Sequence, residues 1–384
     1  MCRQSEGRTG AFLAKHYDVV MALNYYSPYV SGLTEAARMV AEALADSGQS
    51  VLVVTCQHRS DLPLRETING VDVRRSRVMA RLGKGLISPS FLLAAIRWGR
   101  RAKVVNLHLP MLESGVVALL SGRARRVVTY QCDIALPAGP LNWLQTRIMD
   151  LSSVLAFAAA DVIVPSSADY GRHSRLRRWM PDRKLMPISP PTRLRQGGTP
   201  VYRSGDGIHV GFLGRIVEEK GLEYLVDGFR ALPDPGARLL IAGDFENIAG
   251  GSIVGKVRRH IGDDDRVRLL GFLTDAELAD FYASIDVFAL PSVNSFEAFG
   301  IVQVEAMRLG VAALASDLPG VRTPVEETGF GVVIQRASSA AVTTGLQGLV
   351  ASPPDKEHGA EATSARYSLD RTIADYRAAF GLDG

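Results

Sequence analysis

Short apolar runs alternate with amphipathic stretches along most of the chain. YDVVMAL (17–23) reads as a strand. LTEAARMVAEALADS (33–47) repeats its apolar positions every three or four residues, and Gly48 follows as a stop, so it reads as a helix. SVLVVTC (50–56) is the next strand, and more are expected at 103–107, 126–131 and 161–164. This β-α-β order implies a parallel sheet covered by helices on both faces.

The texture then changes. ISPPTRLRQGGTPVYRSGDG (188–207) is rich in Pro, Gly and Arg, lacks periodicity and reads as a linker. Beyond it the alternation restarts with IHVGFLG (208–214), a helix over 219–231, RLLIAG (238–243), RVRLLGF (266–272), a helix over 275–284 and DVFALP (286–291). The pattern predicts an α/β chain of two doubly wound, Rossmann-like domains facing across a cleft. The expected divisions are a disordered leader at 1–16, an N-terminal domain at 17–195 and a C-terminal domain at 196–368. A last amphipathic helix at 369–381 is expected to pack back on the first domain. In such folds ligands bind beyond the carboxyl ends of the strands.

The 384 residues suit two domains. No run reaches the roughly 18 apolar residues of a spanning helix, and MCRQSEGRTGAFLAKH does not read as a signal peptide. Cys2, Cys56 and Cys132 lack metal-ligand spacing and leave one unpaired, which suits a reducing cytoplasm. Charge is divided unevenly. Residues 1–195 hold 27 Lys and Arg against 14 Asp and Glu, and the remainder holds 17 against 26. The basic residues gather at 81–103 and 172–184, among Trp98 and Trp179. Two readings stay open for these segments: solvated helix faces, or contact with an anionic acceptor or membrane surface at the inner face of the cell membrane. No nucleic-acid partner is expected.

Several strand ends carry candidate chemistry. In GFLGRIVEEKG (211–221), Gly214 allows a tight turn and Arg215 and Lys220 precede a helix, a combination that suits an anion. The alternative is pairing of the two cations with Glu218 and Glu219. In PSVNSFEAFGIVQVEAM (291–307) a loop precedes a helix beginning near Gly300, with the amides of Phe299, Gly300 and Ile301 aimed at the cleft. Glu305 sits in an otherwise apolar run, should be buried, and needs donors: sugar hydroxyls or a buried cation. Glu297 would take hydroxyls of a second sugar or favour the helix dipole. Gly32 opens the first helix and permits close backbone approach. His108, Gln131 and Asp133 lie at strand ends in VVNLHLP and VVTYQCD, with His108 open to either a structural or a cleft role. The DDD at 263–265 lies at the wrong end of its strand and reads as a solvated turn.

Taken together, FEAFGIVQVEAM with its two carboxylates eight residues apart, GRIVEEKG, VRLLGFLTDAELADFYASIDVFALPS, ISPPTRL and ASDLPGV resemble the GT-B glycosyltransferases, in particular the retaining family 4 group. The resemblance spans nearly the whole chain. It implies transfer of a sugar from a nucleotide-sugar donor, usually a UDP- or GDP-sugar, with no metal or cofactor required. It further implies that Arg215 and Lys220 hold the diphosphate and Glu305 the ribose. Glu297, Phe299 and Gly300 would hold the transferred sugar, and Phe272 and Leu273 would line the base. Many members carry His where this chain has Gln131; Asp133 keeps a related pattern. Gln131 therefore marks either a subgroup with an altered sugar contact or a weakened enzyme. The basic first half suggests a lipid-linked, glycan or other anionic acceptor in cell-envelope synthesis. The alternatives are a natural-product acceptor, a catalytically silent partner subunit and a sugar-nucleotide epimerase.

Overall fold

The structure, a computed structural model, describes residues 16–82, 85–136, 138–244 and 252–383. The expected leader, apart from His16, lies outside them. The chain enters at β1 (Tyr17–Ala22), which is buried at every position but Asp18 because both of its faces are covered. Ser31 caps α1 (Gly32–Asp46): its hydroxyl accepts from the Thr34 amide, and the Thr34 hydroxyl accepts from the Ser31 amide. β2 (Val51–Gln57) pairs parallel to β1, with Val19 opposite Val51. The hairpin β3 (Arg65–Ile68) and β4 (Val71–Arg77) turns at Asn69-Gly70, both with positive φ. The short β5 (Ala80–Leu82) and β6 (Gly85–Ile87) lead to α2 (Pro89–Gly99), β7 (Ala102–Leu109), α3 (Ser114–Leu120) and β8 (Arg125–Tyr130). The 20-residue α4 (Pro140–Ala159), β9 (Val162–Pro165) and α5 (Ala168–His173) complete the first domain. Its sheet order is β3-β4-β2-β1-β7-β8-β9, parallel except for β3 against β4.

The second domain runs β10 (His209–Leu213), α6 (Leu222–Arg230), β11 (Arg238–Ala242), α7 (Val254–Ile261), β12 (Val267–Gly271), α8 (Asp275–Ala283) and β13 (Val287–Leu290). It continues with α9 (Ile301–Met307), β14 (Ala312–Ser316), α10 (Thr323–Thr328), β15 (Gly331–Ile334), α11 (Ser339–Ala351) and α12 (Lys356–Tyr367). All six strands are parallel, in the order β12-β11-β10-β13-β14-β15. Each domain has its own core. The last helix, α13 (Leu369–Phe380), buries Ile373, Tyr376 and Phe380 with Val19, Val104 and Val127 of the first domain.

The segment read as a linker has no regular structure, but it is fixed in place. Thr192 donates to the Tyr367 carbonyl at 3.0 Å, and the Thr199 amide donates to Asp280 at 2.8 Å. Gly198 passes so close to the Ala279 carbonyl that a Cβ would collide with it. The basic segment at 81–103 also departs from expectation, because Trp98 is buried rather than outward. It meets Tyr17 edge-on at 5.8 Å, and the Arg74 guanidinium lies 4.5 Å over its ring. Among the described residues no helix is long and apolar enough to cross a membrane.

Candidate active site in the interdomain cleft

The C-terminal wall is built from two interlocked loops. β10 ends at Leu213, and the Gly214 amide donates to the Ala242 carbonyl at 3.1 Å. A short 3-10 turn, Glu218–Lys220, follows, and Gly221 leaves it with φ of 64°. A Cβ at Gly221 would strike the Pro291 carbonyl, so only glycine lets the two loops touch. The Val293 amide then donates to the Glu219 carbonyl at 3.0 Å. This contact brings Lys220 to Glu297 in a short ion pair across the loops. Arg215 is more open and pairs with Glu219 at 3.2 Å. Of the two pairings the sequence left open, Arg215 adopts the local one and Lys220 does not.

Gly300 (φ 81°) caps α9, and any Cβ there would collide with Leu290. Phe299 is buried edge-on against Tyr367 at 5.6 Å. The first turn of α9 leaves amides without intrahelical acceptors. Glu305 is buried on α9 as expected, but its donors are protein groups. Arg195 approaches at 2.5 Å, Tyr282 at 3.2 Å and the Arg193 amide at 3.2 Å. Of the two partners the sequence left open for Glu305, the buried cation is present. Burial pushes the Glu305 carboxyl up to about 7, against the pull of Arg195 and Tyr282. Phe272 and Leu273 separate. Phe272 stands exposed beyond β12, while Leu273 is buried in the domain core.

The N-terminal wall brings other candidates opposite these loops. A Cβ on Gly32 would lie 3.7 Å from the Ile301 side chain, so the starts of α1 and α9 face each other. Ser166 donates to the Ala298 carbonyl at 2.9 Å, and Asp169 takes Arg322 at 2.8 Å and the Gly320 amide at 2.9 Å. Gln131 is half-buried at the end of β8, its side-chain amide 3.1 Å from His108 Nδ1. His108 does not reach the cleft. It is buried behind Gln131, and burial pushes its imidazole down to about 3, so it is neutral and acts as an acceptor for that amide. Asp133 also faces inward. Its buried carboxylate accepts from Tyr130 at 2.5 Å, Ser174 at 3.0 Å and the Arg175 amide at 3.3 Å. It ties the strand end to the 174–175 turn.

Sequence reasoning missed Arg193, Arg195 and Tyr282. The two arginines stand two apart, the spacing that puts side chains on one side of an extended chain. Both reach Asp275, at 2.9 and 3.2 Å, and Arg193 also takes Glu35 of α1 at 2.9 Å. Their TRLR spacing was the available signal. Asp264 of the DDD turn is held by Arg266 at 2.7 Å, and among the described residues no three His, Cys, Asp or Glu side chains gather as a metal site.

Two parallel α/β domains with a cleft between them make the GT-B fold. The chain belongs with the group 1, family 4 glycosyltransferases: the family model "Glycosyl transferases group 1" matches residues 202–366 and "Glycosyl transferase 4-like domain" matches residues 31–191. Mannosylfructose-phosphate synthase of Agrobacterium fabrum is 32% identical over 49% of this chain and 39% of its own length. D-inositol 3-phosphate glycosyltransferase of Xylanimonas cellulosilytica is 28% identical over 62% of this chain and 61% of its own. The matches thus span less than two thirds of either relative. Anabaena Alr3699/HepE, solved in complex with UDP and glucose, superposes with a TM-score of 0.70 at 17% identity, over 96% of this chain and all of its own.

Proposed function

We propose that the protein is a retaining glycosyltransferase that moves a sugar from a nucleoside-diphosphate sugar, UDP- or GDP-linked, to an acceptor hydroxyl. The observation that carries this reading is the Lys220–Glu297 ion pair between two glycine-locked loops, with Arg215 beside it. Cleavage of the bond between sugar and diphosphate builds negative charge on the leaving group. Lys220, Arg215 and the first-turn amides of α9 stand where that charge would develop. Glu297, released as Lys220 turns to phosphate, would accept sugar hydroxyls. Glu305 would accept from the ribose while keeping Arg195. Gln131, held by His108, would present its carbonyl oxygen to the transferred sugar. Attack by the acceptor from the leaving-group face needs no protein nucleophile. We place the reaction in cell-envelope glycan or glycolipid synthesis, with an anionic or lipid-linked acceptor, because the first half of this chain is strongly basic.

The test is a thermal-shift screen with UDP, GDP, ADP, dTDP and their sugar conjugates. A ligand at 100 times its Kd should add about 2.7 kcal/mol of stability. A shift with one base identifies the donor class, and turnover should follow with its sugar conjugate. No shift with any nucleotide would refute donor binding. A shift with no transfer to any acceptor would make the chain a silent binding partner.

A further inference from the structure

Helix α4 is built inside out. Its serines are buried: Ser152 lies 3.1 Å from the Ser114 hydroxyl, accepts from the Gly115 amide at 3.0 Å and donates to the Leu112 carbonyl at 2.5 Å. Ser153 is also buried, donating to Met149 at 2.9 Å. A Cβ at Gly115 would collide with α4, so the two helices meet through small residues. The leucines therefore point outward. Leu141, Leu144, Ile148, Leu151 and Leu155 are all exposed, spaced three and four residues apart along one stripe of the helix. Val116 and Leu119 on α3 are exposed as well. A soluble surface helix normally shows the reverse arrangement, and a contiguous apolar face of this extent marks an interaction site.

We infer that this α3–α4 face is a shallow docking surface for a bilayer carrying anionic headgroups. Charge and aromatic placement select that occupant. The single carboxylate of α4, Asp150, is neutralised by Arg175 through contacts of 2.5 and 3.2 Å. Arg147 stacks 5.5 Å from the exposed Trp143 ring. The turn Arg177–Trp179 packs against α4, and Arg178 lies 5.1 Å from the exposed Trp179 ring. Neither Arg147 nor Arg178 has a carboxylate partner among the described residues. Tryptophan bodies beside free guanidinium groups suit the headgroup level of a membrane, with the leucines reaching below it. A self-paired leucine stripe would instead need complementary flanking charges, which α4 lacks.

The surface also connects to the cleft. β8 carries Gln131 at its end and continues through the following loop into α4, and Asp133 ties that strand end to the 174–175 turn. A lipid-anchored acceptor lying under α4 would present its head-group hydroxyl at the strand end that holds Gln131. This refinement rests on the glycosyltransferase reading proposed above.

The test uses the full chain with vesicles of phosphatidylglycerol and phosphatidylcholine. Wild type should co-float with the anionic vesicles, and its tryptophan emission should shift to the blue. Because Trp98 is already buried, Trp143→Phe should remove much of that shift. The triple variant Leu144→Asn, Ile148→Asn, Leu151→Asn should lose about tenfold or more of its bound fraction while keeping its melting temperature. Arg147→Glu with Arg178→Glu should abolish the salt-sensitive preference for phosphatidylglycerol. Vesicle binding that survives the triple variant overturns the proposal. So does a wild-type dimer that the triple variant converts to monomer without any vesicle binding. A nucleotide shift without vesicle binding refutes this surface alone, whereas vesicle binding without a nucleotide shift refutes the donor site and leaves the surface standing.

Discussion

On the C-terminal wall of the cleft, Arg215, Lys220, Glu297 and Glu305 are all ionisable, and each is matched to an opposite charge. On the N-terminal wall, His108 is neutral, Gln131 is uncharged and Asp133 is sealed by hydroxyl and amide donors. Both walls use the same strand-loop-helix unit. The difference lies in what each can exchange. A partly exposed ion pair gives up its partner to an arriving phosphate at small loss, because one Coulombic contact replaces another. A buried neutral hydrogen bond has no such replacement and so fixes geometry. If the C-terminal wall receives the charged donor proposed above, its Lys220–Glu297 pair is the contact able to rearrange around it, while the N-terminal wall would hold still.

The hardest blow to that contrast is Lys220→Ala. If Lys220 leaves Glu297 for the diphosphate, the variant should lose about 10²–10³-fold in kcat/KM, the scale of one lost donor to developing charge. Its nucleotide-induced thermal shift should shrink as well. Steady-state kinetics near wild type would mean the pair is structural and the wall does not rearrange.

Glu305→Gln separates binding from stability. The substitution leaves Arg195 its Asp275 partner at 3.2 Å but removes the buried one, so the cost should fall below the about 3–5 kcal/mol of a fully broken buried pair. Activity should also fall, by about 10–100-fold if one charge-assisted hydrogen bond to the donor is weakened. Adding Arg195→Met should restore much of the melting temperature without restoring activity. Recovery of both would remove Glu305 from the donor site and leave it a purely structural group.

The same carboxyl sharpens the comparison through pH. Its folded-state pKa of about 7 lies above its ordinary 4.5. The folded protein holds the proton over that window and the unfolded chain does not. The resulting contribution is fully present below 4.5 and lost as pH rises through 7. Denaturant titrations should show stability falling by a few kcal/mol at most across that window from this group. Donor affinity should move the other way, rising as the carboxylate forms. His108 works against this trend: its folded-state pKa of about 3 lies below its ordinary 6.5, so its contribution rises with pH and levels off only above 6.5. In Glu305→Gln the fall in stability should disappear, leaving the opposite trend from His108, and the affinity trend should flatten; a persistent rise in affinity would assign the titration to another group.

The fold was largely legible because its central strands are buried on both faces. β1, β2, β10 and β13 announce themselves as mostly apolar runs, interrupted only by Asp18, Thr55, Gln57 and His209. The edge hairpin was missed although Asn69-Gly70 names its turn, since RETI and VDVRRSR alternate weakly. Helix α4 escaped for a different reason: its leucines face out and its serines in, so apolar periodicity points to the wrong side. At the site, Lys220, Glu297 and Glu305 were found from their places after strands. Their protein partners were not, because Arg195 comes from a segment that composition alone describes as a spacer, and only the folded chain brings it 2.5 Å from Glu305. Asp133, and His108, which the sequence left open between a structural and a cleft role, both turn inward to protein partners. A polar residue at a strand end can turn inward, and nothing in a single sequence records which way it turns.

Gln131→His is the smallest and most discriminating change. The Gln131 side-chain amide donates to His108 Nδ1 and leaves its carbonyl oxygen free for a sugar hydroxyl. An imidazole at 131 can still donate one N–H to His108, with its other nitrogen turned to the cleft as an acceptor. The donation behind is preserved while the contact in front changes shape, so the expected loss is about one hydrogen bond, ~1 kcal/mol or roughly fivefold in kcat. Nucleotide binding should be unaffected, because the C-terminal wall is untouched. A rise in kcat would mean that the still wall is a weakened one and that imidazole chemistry at this position improves transfer. A loss confined to kcat would mean that the neutral pair is tuned to the sugar this enzyme uses, and varying the donor sugar against both proteins would then show which hydroxyl Gln131 reads.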